Sequence, residues 1–89
     1  MTDTHLGVTV TVRYFAAASA AAGVEQEVLS TPPGTTVAEV VERLGARNPD
    51  LARVLQRCSY LRDGMAVRDL SSSLHSGETL DVLPPFAGG

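Results

Sequence analysis

The sequence predicts an α+β domain in which a mixed sheet of about five strands packs on one main helix and a short second helix. Segments that alternate apolar and polar residues stand near both ends of the chain, and one strongly amphipathic segment lies between them. The 89 residues are 44% apolar and 19% charged, a composition typical of a folded domain. A chain of this length is expected to form one domain and not two.

The first two predicted strands follow each other near the amino end. The segment "VTVTVRYF", residues 8–15, alternates and is rich in β-branched residues, so we expect a strand with one buried face. The segment "AAASAAAG", residues 16–23, contains no stripe of larger apolar side chains, and we predict a loop or a single turn there. The segment "VEQEVLS", residues 24–30, predicts a second strand with acids on its outer face. The two strands are expected to form an antiparallel hairpin.

The clearest helix signal begins at Thr36. Thr36 and Glu39 stand as S/T-x-x-E, a capping box in which each side chain satisfies a backbone donor at the helix start. The apolar stripe of this helix consists of Val37, Val40, Val41 and Leu44. Asn48 is expected to cap a second short helix that has Pro49 in its first turn. The stripe of that helix consists of Leu51, Val54, Leu55 and Cys58. We therefore interpret Cys58 as a small core residue and not as a nucleophile.

The carboxyl half begins with a predicted hairpin. Asp63 and Gly64 in "SYLRDGMAVRD" are a strong signal for a tight turn between two short strands. Arg62 and Arg68 flank this turn, and we expect them, with Asp63, to form a solvated face. The following segment "LSSSLHSGE" is polar and rich in turn residues, so we predict no regular element there.

The last predicted strand, "TLDVL" at residues 79–83, decides the topology. Pro84 and Pro85 end it because they lack a backbone N–H. Closure of the sheet places the first and last strands side by side at the centre and parallel to each other. This arrangement is the β-grasp, or ubiquitin-like, fold. We assign residues 1–83 to the domain and residues 84–89 to an extended carboxyl-terminal tail that ends in Gly-Gly.

Charge and composition exclude several classes of function. The net charge of −3 and the pI of about 5.1 argue against binding to nucleic acid. Neither a membrane span nor an export signal is visible, and a single cysteine suits a reducing compartment, so we expect a cytoplasmic protein that does not bind a membrane. The two histidines lack the neighbours of a metal site, and the serine run at residues 71–73 lacks a local base. We expect no bound metal and no self-contained active site.

The chain also contains seven arginines and no lysine. An arginine-favouring and alanine-favouring composition explains most of this bias. A smaller contribution has a functional reason, because a protein that carries an activated carboxyl group gains from having no side-chain amine to acylate.

The strongest functional signal is the segment "LPPFAGG". Gly88 and Gly89 have no Cβ, so they fit a narrow channel that excludes other residues. Pro84 and Pro85 keep the start of the tail extended, and Phe86 offers an apolar anchor. A carboxylate is a poor electrophile until it is activated, for example by adenylation. We therefore expect the Gly89 carboxylate to be the reacting group of the protein.

Three segments, "VRYFAAA", "DGMAV" and "LPPFAGG", resemble the MoaD/ThiS family of ubiquitin-like sulfur carriers over essentially the whole chain. The two prolines before the aromatic residue and "AGG" are typical of the molybdopterin synthase branch. The resemblance implies that a ubiquitin-activating-type enzyme uses ATP to adenylate Gly89, and that a sulfurtransferase supplies sulfur to give a thiocarboxylate. It further implies a large synthase subunit, in a heterotetramer of two small and two large subunits, that holds the catalytic side chains and passes the sulfur to precursor Z.

The resemblance also implies an apolar docking face that flanks the tail. By position its members are Phe15, Met65, Leu83 and Phe86, although Phe15, Met65 and Leu83 could equally be ordinary core residues. The expected tail consists of Pro84, Pro85, Phe86, Ala87, Gly88 and Gly89. Three alternatives stay open at this point: a sulfur carrier for thiamine or cysteine synthesis, a modifier joined to target lysines through Gly89, and a binding domain with an irrelevant tail.

Overall fold

The computed structural model describes residues 7–85, and within them the chain forms five strands and three helices. The elements are β1 Val8–Tyr14, α1 Ala17–Ala22, β2 Gln26–Thr31, α2 Val37–Arg47, α3 Pro49–Leu55, β3 Ser59–Arg62, β4 Met65–Ala66 and β5 Thr79–Leu83. The second strand begins and ends later than residues 24–30, where the sequence places it. The other predicted strands lie within a residue or two of their expected bounds, as is usual for element ends.

The strands form one mixed sheet in the order β2-β1-β5-β3-β4. The first and last strands pair in parallel at the centre, and the other neighbours are antiparallel. The predicted β-grasp fold is therefore confirmed. The expected division into residues 1–83 and a tail from residue 84 stays a prediction, because residues 86–89 lie outside the described part.

The core lies between one face of the sheet and the helices. Alternation along β1 turns Val10, Val12 and Tyr14 inward, where each is at most 3% exposed. The same buried cluster includes residues from β2, β3, β5 and the three described helices. The opposite face of the sheet carries no such layer within residues 7–85, and we call it the open face.

The two predicted helices form as their caps indicate. The Thr36 hydroxyl accepts a hydrogen bond from the Glu39 N–H at 3.1 Å, and the Glu39 carboxylate accepts one from the Thr36 N–H at 2.9 Å. The Asn48 side chain accepts from the N–H groups of Asp50 and Leu51 and so caps α3. Within α2, the inward stripe of Val37, Val40 and Leu44 is fully buried. The residues at which both helices begin could therefore be predicted from local sequence.

The prediction of a loop over residues 16–23 is wrong, because residues 17–22 form α1. Ala18 is fully buried, and α1 is held against α3 by the Asn48 side chain, which donates to the Ala21 carbonyl at 2.8 Å. Alanine is the strongest helix former, and its small side chain lets the helix approach its neighbours closely. A helix of this kind does not need a stripe of large apolar residues to pack.

Two residues of the carboxyl half differ from expectation. Cys58 lies beyond the end of α3 and is only half-buried against the core, so it is not part of a continuous helical stripe. Leu74, within the polar segment that follows the hairpin, is 2% exposed and belongs to the core. The predicted hairpin turn is confirmed, since Asp63 and Gly64 both have positive φ, at 48° and 84°. Among the helices of residues 7–85, none has the length and apolar character needed to cross a membrane.

Candidate functional site

The base of the predicted tail lies at the end of the central strand. β5 is paired with β1 on one side and with β3 on the other, up to Leu83. The strand ends there, as predicted, and Pro84 and Pro85 follow as half-buried and exposed residues. The predicted reacting residue Gly89 and its neighbours Phe86, Ala87 and Gly88 lie outside the described residues. What the fold defines is therefore the point and direction from which the tail starts.

Polar side-chain contacts, which were not predicted from the sequence, fix the start of β5. The Arg62 guanidinium donates to the Glu78 carboxylate at 2.9 Å, and the two side chains are only 19% and 17% exposed. The Asp63 carboxylate accepts from the Thr79 N–H at 2.9 Å. The expectation of a solvated face is therefore correct for Asp63 and Arg68, which are exposed, and wrong for Arg62, whose side chain is paired and mostly buried.

Arg62 also changes the acidity of its partner. Its hydrogen bond to the carboxylate is the main reason that the pKa of Glu78 lies below its usual value, with a further contribution from the His75 N–H. Arg62 additionally donates to the Ser72 hydroxyl at 3.1 Å and to the Ser73 carbonyl. One guanidinium thus holds the polar segment against the beginning of the strand that leads to the tail.

Phe15 and Leu83 lie side by side next to the tail. Tyr14 pairs with Val82 in the parallel ladder, and the Phe15 N–H donates to the Val82 carbonyl at 3.2 Å, which continues the same register. By alternation both Phe15 and Leu83 belong to the open face. Phe15 is 38% exposed and Leu83 is half-buried. These two residues, which we call the tail-base patch, form a small apolar surface at the point where β5 ends.

An ion pair borders the tail-base patch. The Arg13 guanidinium donates twice to the Asp81 carboxylate, at 2.6 and 2.9 Å, and its central carbon lies 5.6 Å from the centre of the Phe15 ring. The Asp81 side chain is 8% exposed, whereas that of Arg13 is 48% exposed. This pair was not predicted from the sequence. An acid in the middle of the otherwise apolar strand "TLDVL" was the available signal, because such a residue needs a partner when it is buried.

The register separates Met65 from the tail-base patch. Met65 pairs with Arg62, and Arg62 pairs with Leu80, a core residue, so Met65 belongs to the covered side of the sheet. It is 72% exposed only because β4 is the edge strand. Three strand spacings, about 14 Å, lie between β4 and β1. Phe15, Leu83 and Met65 therefore do not form one contiguous patch, and a partner contact at Met65 stays a prediction.

Cys58 has the surroundings of a structural thiol. Its Sγ lies 3.2 Å from the Val54 carbonyl, to which the thiol can donate. Burial raises the pKa of the Cys58 thiol above its usual value, which lowers the fraction of reactive thiolate at neutral pH. Among residues 7–85 we find no group of three histidine, cysteine or acidic side chains arranged to hold a metal.

Comparisons with known proteins place this geometry in a family. The ThiS family model matches residues 12–89. The molybdopterin synthase sulfur carrier subunit of Chlamydomonas reinhardtii is 26% identical over 81 residues, which cover 90% of this chain and 98% of that protein.

Two solved structures are similar over most of their length. A Pyrococcus furiosus protein assigned as subunit 1 of a molybdopterin converting factor is 26% identical, with a TM-score of 0.80 over 88% of this chain and 98% of that one. The small archaeal modifier protein 1 of Methanosarcina acetivorans is 25% identical, with a TM-score of 0.79 over 93% of this chain and 98% of that one. The match from residue 12 to residue 89 and the β-grasp sheet lead to one conclusion: this chain belongs to the ThiS family, the MoaD/ThiS group of ubiquitin-like proteins.

Proposed function

We propose that this chain is the sulfur carrier subunit of a molybdopterin synthase and that Gly89 carries the sulfur as a thiocarboxylate. The observation that carries the proposal is the position of β5, a doubly paired central strand that leads directly into Pro84 and Pro85. In a member of the ThiS family, such a strand fixes the base of a short tail while the tail itself stays free to enter another protein.

The proposed chemistry takes place at one carbonyl carbon. The Gly89 carboxylate attacks the α-phosphate of ATP in an adenylating partner, so an acyl–phosphate bond forms and pyrophosphate leaves. A hydrosulfide equivalent from a sulfurtransferase then attacks the acyl carbon and displaces AMP, which leaves the thiocarboxylate. In the large subunit the thiocarboxylate sulfur then attacks an electrophilic carbon of precursor Z and displaces an oxygen substituent. Water hydrolyses the resulting acyl–sulfur bond, which leaves the sulfur on precursor Z and restores the Gly89 carboxylate. We expect these steps in the cytoplasm, where ATP is available.

The described residues around the tail base support a carrier and not a catalyst. Pro84 and Pro85 line a groove on the helical side of the sheet, and the other side chains in it are small, apolar, amide or guanidinium groups, which do not act as general acids or bases near neutral pH. The catalytic side chains are therefore assigned to the partners. The carrier then needs only a fixed tail base at Leu83 and a short tail that ends in glycine. The partner supplies the reactive groups and places them at a fixed distance from the sheet.

The tail-base patch is the proposed contact with the large subunit. Phe15 and Leu83 expose apolar surface side by side where β5 ends, and the sequence continues with Phe86 after the two prolines. Apolar anchors near the centre of an interface carry most of its binding energy. We propose that these three side chains dock the large subunit, and that the assembly contains two small and two large subunits.

The experiment compares the chain with a variant that has one residue added after Gly89. After incubation with the adenylating enzyme, ATP and a sulfur source, the intact mass of the unmodified chain should rise by the difference between sulfur and oxygen. The extended variant should keep its fold and still bind the large subunit, but it should gain no sulfur and support no molybdopterin formation. A chain extended by one residue before Met1 is the matched control and should behave like the starting protein.

Two results would contradict the proposal. One is full molybdopterin formation by the extended variant with no trimming detected in its mass spectrum. The other is a mass change that maps by peptide analysis to Cys58 and not to Gly89. The chain could instead acquire the thiocarboxylate but transfer its sulfur in thiamine or cysteine synthesis and not with the large subunit. In that case the carrier chemistry would stand and the proposed pathway would be wrong.

A second candidate function is protein modification, favoured by the similarity to the small archaeal modifier protein 1. In this case the activated Gly89 carbonyl forms an isopeptide bond with a lysine of a target protein. The chain contains no lysine, so one copy could not be attached to a side-chain amine of another. Target proteins in a cell extract that carry the added mass of one chain would favour the modifier over the carrier. Trypsin cleaves this chain last after Arg68, so the attachment would be identified by residues 69–89 linked to target lysines.

A further inference from the structure

Phe15 is an exposed aromatic residue whose backbone is fixed on both sides. It lies one residue beyond the end of β1, and 38% of its surface is exposed. Its N–H donates to the Val82 carbonyl at 3.2 Å, and its own carbonyl accepts from the Ala18 N–H at 3.0 Å. The next residue, Ala16, has a φ of 51°, a conformation that costs an alanine free energy and persists only where the surroundings determine it. The backbone of Phe15 therefore has a fixed position relative to β5.

The Phe15 ring is held by a guanidinium that is itself held. Arg13 stands two residues before Phe15 on the same face of the sheet, and its central carbon lies 5.6 Å from the ring centre, within the range of a cation–π attraction. Asp81, on the neighbouring strand, accepts two hydrogen bonds from the same guanidinium, at 2.6 and 2.9 Å. A free arginine loses much rotamer freedom when it orders against a ring. Because Asp81 already fixes Arg13, the contact with Phe15 requires no further loss of this kind.

Stability alone does not account for the ion pair of Arg13 and Asp81. The Asp81 side chain is 8% exposed, so its carboxylate has been moved out of water. The attraction of the partner roughly offsets the cost of this step, and apolar residues of similar volume often stabilise a fold as well as such a pair does. Apolar residues at these two positions would not place a positive charge over the Phe15 ring. The pair therefore adds a fixed orientation of Phe15 to the open face.

A side chain that is ordered in the free protein is a better binding anchor than a mobile one. Ordering a side chain at an interface opposes binding, and order that exists beforehand avoids this cost. Phe15 and Leu83 form the tail-base patch, which the proposed function assigns to the large subunit. Arg13 and Asp81 lie next to these residues on the same two strands, in the register of β1 against β5. The pair can thus influence docking through Phe15, without a contact of its own to the partner.

We propose that Arg13, fixed by Asp81, is a positioning residue that orders the Phe15 ring before the large subunit binds. The inference rests on the proposed docking of the tail-base patch and adds two residues that act through Phe15. Asp81 acts on Arg13, and Arg13 acts on the ring. Loss of either polar side chain should therefore have the same consequence, which is a mobile ring and weaker docking.

The first measurement is made on the free protein and needs no partner. In Arg13→Gln and in Asp81→Asn, NMR relaxation should show larger motions of the Phe15 side chain than in the unmodified chain. Arg47→Gln is the matched control, because Arg47 is 49% exposed, close to the 48% of Arg13, and pairs with the Glu27 carboxylate of the sheet at 2.8 Å. It breaks a comparable ion pair elsewhere in the domain and should leave the motion of the ring unchanged.

The second measurement separates action through Phe15 from a direct contact and from a general loss of stability. Arg13→Gln should weaken binding of the large subunit about fivefold, as expected when one side chain must be ordered on binding, whereas Arg47→Gln should not weaken it. In a Phe15→Ala background, Arg13→Gln should weaken binding no further, because the residue that it positions is gone. Asp81→Asn should repeat this pattern and provides the test if Arg13→Gln does not fold.

Three results would count against the inference. A Phe15 ring that stays ordered in both Arg13→Gln and Asp81→Asn would overturn it. So would an equal loss of affinity from Arg13→Gln with and without Phe15, which would indicate a direct contact of Arg13 with the partner. If Phe15→Ala binds the large subunit as tightly as the unmodified chain does, the tail-base patch is not the docking surface and the inference fails with it. The gain of sulfur at Gly89 tests the carrier chemistry separately from all three.

Discussion

Replacement of Leu74 by alanine is expected to destabilise the domain strongly, although the residue lies in a segment of serines and turns. Leu74 is 2% exposed and belongs to the core, and its N–H donates to the Thr35 carbonyl at 2.8 Å. Truncation of a fully buried leucine costs about 3 kcal/mol, within a range of roughly 2 to 5. For a domain of this size each kcal/mol lowers Tm by about 4–8 °C, so we expect a decrease of roughly 12–24 °C.

The matched control is Leu70→Ala in the same segment. Leu70 is 44% exposed, and its contact with α2 is a backbone carbonyl that accepts from the Ala38 N–H, which the substitution retains. Its cost should be about 0.5 kcal/mol. Thermal and urea unfolding of both variants, followed by circular dichroism, measures the difference. Equal midpoints for Leu70→Ala and Leu74→Ala would refute the conclusion that Leu74 anchors the segment to the core.

Two further predictions concern acidity and the thiol. The Glu78→Gln variant should have a lower free energy of unfolding than the unmodified protein, by an amount that is constant above about pH 5. This difference should vanish as pH falls through the lowered pKa of Glu78, because the carboxylate stabilises the fold only while it is ionised. Urea unfolding at a series of pH values measures this difference, and a loss that stayed constant down to pH about 2 would contradict it. For Cys58→Ala, unfolding should show a cost of about 1 kcal/mol, and sulfur transfer should remain intact. Loss of transfer by a folded Cys58→Ala protein would assign the thiol a persulfide role.

Some elements were predictable because their determinants are local. The capping box of Thr36 and Glu39 lies within four residues, and the turn at Asp63 and Gly64 needs only two. The parallel pairing of the first and last strands follows from the order of elements, since a helical crossover between them leaves them pointing the same way. The helix over residues 17–22 was missed because alanine-rich segments show no apolar periodicity even when they pack.

The surroundings of the tail could be predicted less completely. The ion pair of Arg13 and Asp81 joins residues 68 positions apart and depends on the register of β1 against β5. The same register brings Phe15 and Leu83 together and places Met65 on the other side of the sheet. The groove beside Pro84 and Pro85 is lined by these prolines, by Ala17 and by residues at positions 53–57, so no single stretch of sequence indicates it. The tail could therefore be predicted from the sequence, but the surfaces that flank it could not.

The double pairing of β5 has a mechanical consequence. When a partner releases the tail, any resisting force acts on Pro84 and is transmitted along the axis of β5. Hydrogen bonds to β1 and β3 lie across that axis, so the force loads both ladders in shear and their bonds must yield together. A tail that continued from the edge strand β4 would instead peel its strand away one bond at a time. In the proposed function, the central position of β5 would therefore let the tail be withdrawn from a partner repeatedly without unfolding of the domain.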